Sequence, residues 1–188
     1  MTKLISYSDL APYKHLTANF NAAKFDTYVN AAQEFDLRKL LGTELYIDLM
    51  DDFEASPSLV TYGELMSGCT YTYLTRKYKH EGLIPVIGCF TFARYLMDSN
   101  AFSTPFGMMQ KKNSDVSEPI SEKSIARKIA QAQSEALSYF ERVKLYIVHQ
   151  KQIDSTKFIL YRTQIKSSSG IRISAAGGNA KDRYKRIY

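Results

Sequence analysis

One apolar stripe near the C-terminal end of the sequence sets the fold class. Its members recur at intervals of four, three, four, four, three and four residues. They are Ile125, Ile129, Ala132, Ala136, Phe140, Val143 and Ile147. The mean interval slightly exceeds 3.6 residues, which predicts a long and nearly straight α-helix rather than a left-handed coiled coil. At about 1.5 Å per residue, this helix would span roughly 40 Å, the height of a small domain.

The N-terminal half of the sequence predicts two shorter helices that meet at a corner. Residues 22–36 have the pattern of an amphipathic helix. Its apolar side is formed by Phe25, Val29, Ala32 and Phe35. Gly42 predicts a left-handed helix end, and Thr43 predicts the cap of a new helix. The apolar side of this second helix is formed by Leu45, Leu49 and Phe53.

The middle of the sequence combines a buried helix with a short β element. Residues 83–97 are apolar almost all round, and Pro85 lies in the first turn, where a missing N–H is harmless, so this segment predicts the central helix. Within residues 69–78, residues 70–73 alternate threonine and tyrosine, which favours a short strand or a hairpin. Residues 100–119 have no sustained period and predict a long loop with one extended piece. The predicted fold is mainly α, a bundle of about five helices with a minor β element.

Charge is distributed unevenly along the sequence. Residues 151–188 contain nine Lys or Arg and two Asp, a net charge of +7, whereas residues 1–150 contain sixteen basic and seventeen acidic residues, a net charge of −1. Serines and glycines interrupt the basic segment, which leaves too little apolar surface for it to fold alone. We therefore predict a helical domain in residues 1–150 and an extended basic C-terminal arm in residues 151–188 that becomes ordered against a partner.

The basic arm carries residues that suit docking. Alternating apolar residues can add a strand to a neighbour's sheet edge, and the cations suit an acidic surface or phosphate. The predicted docking residues are Phe158, Leu160, Arg162, Ile171, Arg172, Ile173, Arg183, Tyr184, Lys185, Arg186 and Tyr188. The alternative is a disordered, solubilising tail, against which the aromatic C-terminal end argues.

Patterns typical of catalysis, metal binding and membrane insertion do not occur in the sequence. The apolar stretch of residues 82–93 is shorter than the roughly 20 residues that cross a bilayer, and the N-terminus lacks a signal-peptide core, so we expect cytoplasmic synthesis and no membrane partner. Cys69 and Cys89 lack the Cys-x-x-Cys spacing of metal or redox sites and predict small buried thiols. No metal-ligand spacing surrounds the histidines, His15, His80 and His149. We therefore predict a non-enzymatic protein with no catalytic residue, no metal and no cofactor.

Residues 31–49 read AAQEFDLRKLLGTELYIDL. This segment resembles the head-to-tail connector proteins of tailed bacteriophages, especially the ring proteins of crAss-like phages that infect Bacteroidetes. The resemblance lies in Ala-Gln, then Leu-Leu-Gly, then Leu-Tyr two residues later, then Leu. Further partial matches are Gly82-Leu83, Thr104, Gly107, residues 111–114 and the long last helix.

The resemblance implies a structural virion protein of the phage neck. It implies a small α-helical adaptor that forms a homo-oligomeric ring, of twelve copies, beneath the portal protein. The C-terminal segment would reach the portal or an adjacent neck or tail ring, and genome DNA would pass through the channel. The sequence departs from the shorter connectors in its basic tail after Ile165, which leaves the partner of that tail open.

A closed ring needs two different complementary patches on each subunit. The sequence offers an acidic cluster, at spacing i, i+3 and i+4, and a basic cluster on the long last helix. The acidic residues are Asp48, Asp51 and Asp52, and the basic residues are Lys123, Arg127 and Lys128. The alternative interpretation is that both clusters are solvated helix faces.

Non-specific nucleic-acid binding is the rival function. The tail supplies positive charge, and residues 71–79 interleave stacking rings with cations. The interleaved residues are Tyr71, Tyr73, Arg76, Lys77, Tyr78 and Lys79. We place this function second because the neutral body offers no broad basic face behind the arm.

Overall fold

Helices make up most of the part of the chain that the structure describes. This computed structural model describes residues 2–10, 12–13, 22–55, 60–99, 101–104, 107–110 and 122–162. The helices are α1 (Tyr7–Leu10), α2 (Ala22–Ala31), a π-helical segment (Ala32–Leu37), α3 (Arg38–Leu41), α4 (Thr43–Glu54), α5 (Val60–Ser67), α6 (Ile84–Ser99) and α7 (Glu122–Ile153). The strands are β1 (Cys69–Tyr73), β2 (Arg76–His80), β3 (Ala101–Thr104) and β4 (Gly107–Gln110). The predicted mainly α fold with a minor β element is confirmed.

Helix α6 lies at the centre of the core, as its almost uniformly apolar sequence predicts. It packs along α7 and also contacts α1, α2 and the π-helical segment. Leu83, which immediately precedes the helix, is fully buried, as are Val86 and Ile87 within it. The predicted stripe of α7 faces this core, with Ala136, Phe140, Val143 and Ile147 all buried. The long last helix is therefore confirmed.

The π-helical segment changes which residues face the core. Phe35, predicted on the inner side, is 65% exposed, whereas Gln33 is fully buried. A π turn holds more residues than an α turn, so the inner side passes from Ala32 and Gln33 to Leu37 instead of reaching Phe35. The Gln33 amide fastens the N-terminal segment, since its Oε1 accepts from Leu4 N at 2.8 Å and its Nε2 donates to Thr2 O at 3.1 Å.

The predicted corner between two helices is present at Gly42, with a different geometry from the one predicted. Gly42 has φ 85° and ψ 152°, an extended conformation at positive φ that is essentially restricted to glycine, rather than the left-handed helical one. Gly42 itself precedes α4 as its cap, and Thr43 is the first helical residue. On α4, Leu45 and Leu49 are buried as predicted, but Phe53 is 41% exposed and Asp52 takes its place inside.

Two further predictions need correction. Residues 101–110, predicted as a loop with one extended piece, contain an antiparallel pair in which Ala101 faces Gln110 and Thr104 faces Gly107. The predicted domain boundary at residue 150 falls inside α7, which continues to Ile153.

Among the described helices, none has the length and apolar character to cross a membrane.

Gly82 determines where the β1–β2 hairpin rejoins the helical body. It has φ 79°, and the next residue, Leu83, donates its N–H to the carbonyl oxygens of Leu65 and Met66 at 3.0 Å. A Cβ atom on Gly82 would overlap the backbone at Met66. At this crossing, the chain that returns from the hairpin passes so close to the backbone of Met66 that only glycine fits.

We expect Gly82→Ala to reduce the free energy of unfolding by at least about 2 kcal/mol, because it adds both positive-φ strain and a backbone clash. Gly63→Ala is the matched control. Gly63 lies exposed within α5, where an added Cβ meets open space, so this change should raise stability by about 0.5–1 kcal/mol. Urea unfolding of both variants tests the pair, and equal effects of the two changes would contradict this account of the crossing.

Candidate protein interaction site

The β1–β2 hairpin has two chemically different faces. The strands pair so that Tyr71 lies opposite Tyr78 and Thr72 lies opposite Lys77. Because successive side chains of a strand point to opposite faces, the aromatic pair and the Thr–Lys pair lie on different faces. The face with Tyr71 also carries Cys69, Tyr73, Tyr78 and His80, and the other face carries Thr70, Thr72, Lys77 and Lys79. Of the two predicted alternatives, a short strand or a hairpin, the structure has the hairpin, and its second strand continues to His80.

The aromatic face is packed along helix α7. The ring of Tyr73 stacks on His149 with centroids 3.8 Å apart and planes 7° from parallel. Tyr71 is buried and its hydroxyl lies 3.1 Å from His149 Nδ1, while the Tyr73 hydroxyl donates to the side chain of Gln152. The hairpin is thus held along its length rather than only at its base.

A buried polar cluster fastens the base of the hairpin. His80 stacks on Tyr146 with ring centroids 4.2 Å apart, and its Nε2 lies 3.3 Å from Cys69 Sγ. The Tyr146 hydroxyl donates to Glu64 Oε2 at 2.7 Å. Burial, together with the negative charge of Glu64, raises the pKa of the Cys69 thiol, and burial lowers the pKa of His80. Both groups are therefore neutral near pH 7, which suits structural packing and not a thiolate nucleophile.

The tip of the hairpin combines backbone strain with an exposed apolar side chain. Leu74 and Thr75 have φ values of 45° and 69°, a conformation that hairpin turns normally assign to Asn-Gly. Leu74 is a bulky residue in this region, and its side chain is 76% exposed. Two non-glycine residues at positive φ cost on the order of 1–3 kcal/mol each, and such strain is concentrated at functional sites.

The outer face of the hairpin is cationic and open. Lys77 and Lys79 on this face are exposed. Arg76 is also exposed, but it lies opposite Tyr73 at the edge of the aromatic face, and none of the three cations forms an ion pair with another described residue. Of the described strands, β1 and β2 pair only with each other. Tyr71 and Tyr78 are turned inward, stacked on each other with centroids 5.6 Å apart. The hairpin therefore offers charge without the exposed ring platform that base stacking requires.

The structure separates the acidic residues predicted as one interface cluster. Asp48 accepts a hydrogen bond from the Tyr62 hydroxyl, and Asp52 is only 9% exposed. Burial, and then the hydrogen bond to the Asp48 carboxylate, raise the pKa of Tyr62. Only Asp51 projects into solvent. In the part of the chain that the structure describes, no group of three acidic, His or Cys side chains is arranged to hold a metal ion.

The basic cluster predicted on α7 is exposed. Lys123, Arg127 and Lys128 all lie near the beginning of this helix, and they form no ion pair with the described residues. Their role as an interface stays a prediction.

The first residues of the predicted arm belong to the body. Phe158 is buried, with its ring edge-on to Tyr62 and Tyr146 at centroid distances of 5.9 Å, so it is not a docking residue of an unfolded arm. Lys151 Nζ donates to the Tyr161 carbonyl at 3.0 Å and fastens the turn after α7. Phe158 belongs to the short apolar run of residues 158–161, which is too short for a period to show which of its members faces the core.

The remaining predicted arm residues divide into two groups. Leu160 and Arg162 are exposed, and Arg162 lies 3.5 Å from the Glu44 carboxylate. The others lie outside the described residues, namely Ile171, Arg172, Ile173, Arg183, Tyr184, Lys185, Arg186 and Tyr188.

Comparison with known proteins identifies one family. The sequence model of a family of unknown function (DUF6712) matches residues 37–169, which include α3 to α7, the β1–β2 hairpin and the packed turn around Phe158. No curated protein and no solved structure shows a significant match.

We expect the free energy of unfolding to decrease as the pH falls below about 6.5. Burial lowers the pKa of His80 and His149 from the ordinary value of 6.5, so the unfolded chain binds protons before the folded chain does. Stability is therefore complete above pH 6.5 and is lost as the pH falls toward the lower folded-state pKa. Urea unfolding at pH 7.5 and pH 5.5 measures the difference.

His80→Phe is the informative variant for this pH dependence, because phenylalanine keeps the ring contact with Tyr146 but cannot titrate. Its loss of stability between pH 7.5 and pH 5.5 should be smaller than that of the unmodified protein, with the remainder due to His149. An identical pH dependence in both proteins would show that His80 does not contribute.

Proposed function

We propose that this protein, which belongs to the DUF6712 family of unknown function, is a structural virion protein, a head-to-tail connector that forms a ring between the portal and the tail. The supporting observation is the β1–β2 hairpin. It is rigidly held on one face, cationic on the other, and ends in an exposed leucine. A protrusion that is ordered before its partner arrives loses little conformational entropy on docking. This arrangement suits assembly of many copies, where each weak contact is repeated around the ring.

The segment that resembles phage connector proteins also supports the proposal, and it contributes to the core of the protein. It spans the π-helical segment, α3, Gly42 and the start of α4, and its leucines Leu41, Leu45 and Leu49 are buried. The resemblance therefore concerns the helical corner that builds the body of the protein. Its buried leucines are not available for docking, whereas Glu44 and Ile47 of the same segment are exposed.

Non-specific nucleic-acid binding is the second candidate. The observation that favours it is the set of three exposed cations on β2, Arg76, Lys77 and Lys79, which form no ion pair with described residues and add to the net charge of +7 in residues 151–188. The inward orientation of Tyr71 and Tyr78 makes it the weaker candidate, because strand stacking would have to use other rings.

We expect the purified protein, alone or with its cognate portal protein, to form annular particles in negative-stain images. The measurement is combined with gel-shift assays on duplex DNA at about 50 mM and about 200 mM salt, because an electrostatic DNA binder loses most of its affinity over this range. A protein that stays monomeric with and without portal, but retards DNA, would contradict the proposal and favour the second candidate.

A variant that ends at Ile165 serves as the companion to this experiment. Because the packed turn up to Tyr161 is kept, we expect its far-ultraviolet circular dichroism and unfolding midpoint to match those of the full chain. Its binding to the portal should weaken, since the variant lacks most of the positive charge of the tail. Unchanged portal binding would remove the tail from the proposed mechanism.

The hairpin tip gives an independent prediction, in which stability and assembly move in opposite directions. Replacing Leu74 and Thr75 by Asn and Gly should raise the free energy of unfolding by about 1–2 kcal/mol, because this pair adopts the turn without strain. The same variant should assemble less readily because the exposed leucine is gone. Thr75→Gly alone is the matched control, since it relieves part of the strain but keeps Leu74, and it should assemble normally. Normal assembly by both variants would mean that Leu74 makes no contact with a partner.

A further inference from the structure

We infer that the outer face of the β1–β2 hairpin docks on the outward face of helix α4 in a second copy of this chain. The inference rests on the proposed function and names the two surfaces that would join neighbouring subunits. One is the cationic hairpin face that ends in Leu74. The other is an acidic stripe on α4, defined here as Glu44, Ile47, Asp51 and Glu54.

The acidic stripe follows from the composition and burial of α4. This helix contains five acidic residues and no basic residue. The four residues of the stripe are spaced i, i+3, i+7 and i+10, so they lie along one side of the helix, and all four are exposed. Ile47 is 49% exposed within this acidic side, which leaves an apolar contact point among carboxylates.

The carboxylates of the stripe have capacity for another partner. Asp51 forms no ion pair with the described residues. Glu44 lies 3.5 Å from Arg162, but both side chains are more than half exposed, which marks a weak pair. Glu54 accepts a hydrogen bond from the Thr2 hydroxyl. Because this hydroxyl is neutral, it does not compensate the charge of the carboxylate.

The two surfaces match in length and in the order of their groups. Strand β2 begins at Arg76, one residue beyond the turn that holds Leu74, so Lys79 lies about 13 Å from that turn at roughly 3.3 Å per residue. From Ile47 to Glu54 the helix extends about 10 Å at roughly 1.5 Å per residue. Leu74 placed on Ile47 brings Lys77 toward Asp51 and Lys79 toward Glu54, within the reach of the flexible lysine side chains.

The same pairing explains how copies could join into a ring. The hairpin and the stripe are different patches of one chain, so their contact is head-to-tail and leaves one patch free on each subunit for the next copy. The basic cluster on α7, formed by Lys123, Arg127 and Lys128, is a rival partner for the stripe. Its exposed neighbours Ala126 and Ala130 are small, so it offers no apolar side chain comparable to Leu74 for contact with Ile47.

Charge reversal tests the pairing. Lys77→Glu with Lys79→Glu should raise the concentration needed for assembly at least tenfold, and Asp51→Lys with Glu54→Lys should do the same. The four changes together in one chain, or an equal mixture of the two double variants, should restore assembly because the charges are again opposite. Assembly is measured by light scattering after size-exclusion chromatography and by negative-stain imaging. Portal protein is added to every sample if the unmodified protein assembles only in its presence.

Two controls accompany the charge reversal. Lys123→Glu with Lys128→Glu makes an equal charge change in the rival cluster and should leave assembly intact. Circular dichroism and the unfolding midpoint establish that each variant folds, and Asp51→Lys alone replaces the second double variant if that protein does not fold.

Each outcome bears on one of the two proposals. The inferred docking is overturned, and the connector function stands, in two cases. In the first, the unmodified protein and both double variants form rings. In the second, only the changes in the rival cluster impair assembly. Failure of the folded four-change protein to assemble, when each double variant is impaired, also overturns the docking. Failure of the unmodified protein to assemble under any condition overturns the proposed function itself. Loss of DNA retention, without loss of assembly, in the Lys77 and Lys79 variant would assign the hairpin to nucleic acid instead.

Discussion

The contact between the inner face of the β1–β2 hairpin and helix α7 is the interaction on which the proposed site depends. A two-stranded hairpin is marginally stable by itself in water. Here Tyr73 stacks on His149 and Tyr71 lies buried beside the same imidazole, so the hairpin is carried by the longest helix of the protein. Because one face is committed to this packing, the opposite face with Lys77 and Lys79 is necessarily presented to solvent.

The polar groups beneath the hairpin give this attachment its directionality. Apolar packing alone would tolerate small rotations, whereas the hydrogen bond from Tyr146 to Glu64 and the contact of Cys69 with His80 have defined geometries. These groups are neutral or paired, which limits the desolvation penalty of burying them. The strained Leu74–Thr75 turn persists because the strands beneath it are held so firmly.

Much of the fold could be predicted from periodicity. The stripe of α7, the apolar helix α6 and the alternation of threonine and tyrosine in β1 each extend far enough for the period to be read.

The errors in the predicted core and site have local physical causes. A single π turn exchanged Phe35 for Gln33 in the core, and Phe158 is buried although its neighbours in sequence, Ile159 and Leu160, are exposed. The sequence predicted the candidate site only in part. It showed that Arg76, Lys77 and Lys79 form a cationic group. It did not show that the accompanying tyrosines face inward, so the group was interpreted as a nucleic-acid surface.

The sequence by itself determined the helical class, the corner at Gly42, the β1–β2 hairpin and the uneven distribution of charge, because these depend on local conformational preference and composition. The tertiary structure decided which faces are available. It buried Asp52, engaged Asp48 with Tyr62, and left Asp51 in line with Glu44, Ile47 and Glu54. It also turned the tyrosines of the hairpin toward α7. The physical reason is that the direction of a side chain relative to solvent depends on what packs against its element, and packing partners distant in sequence leave no periodic signal in the chain.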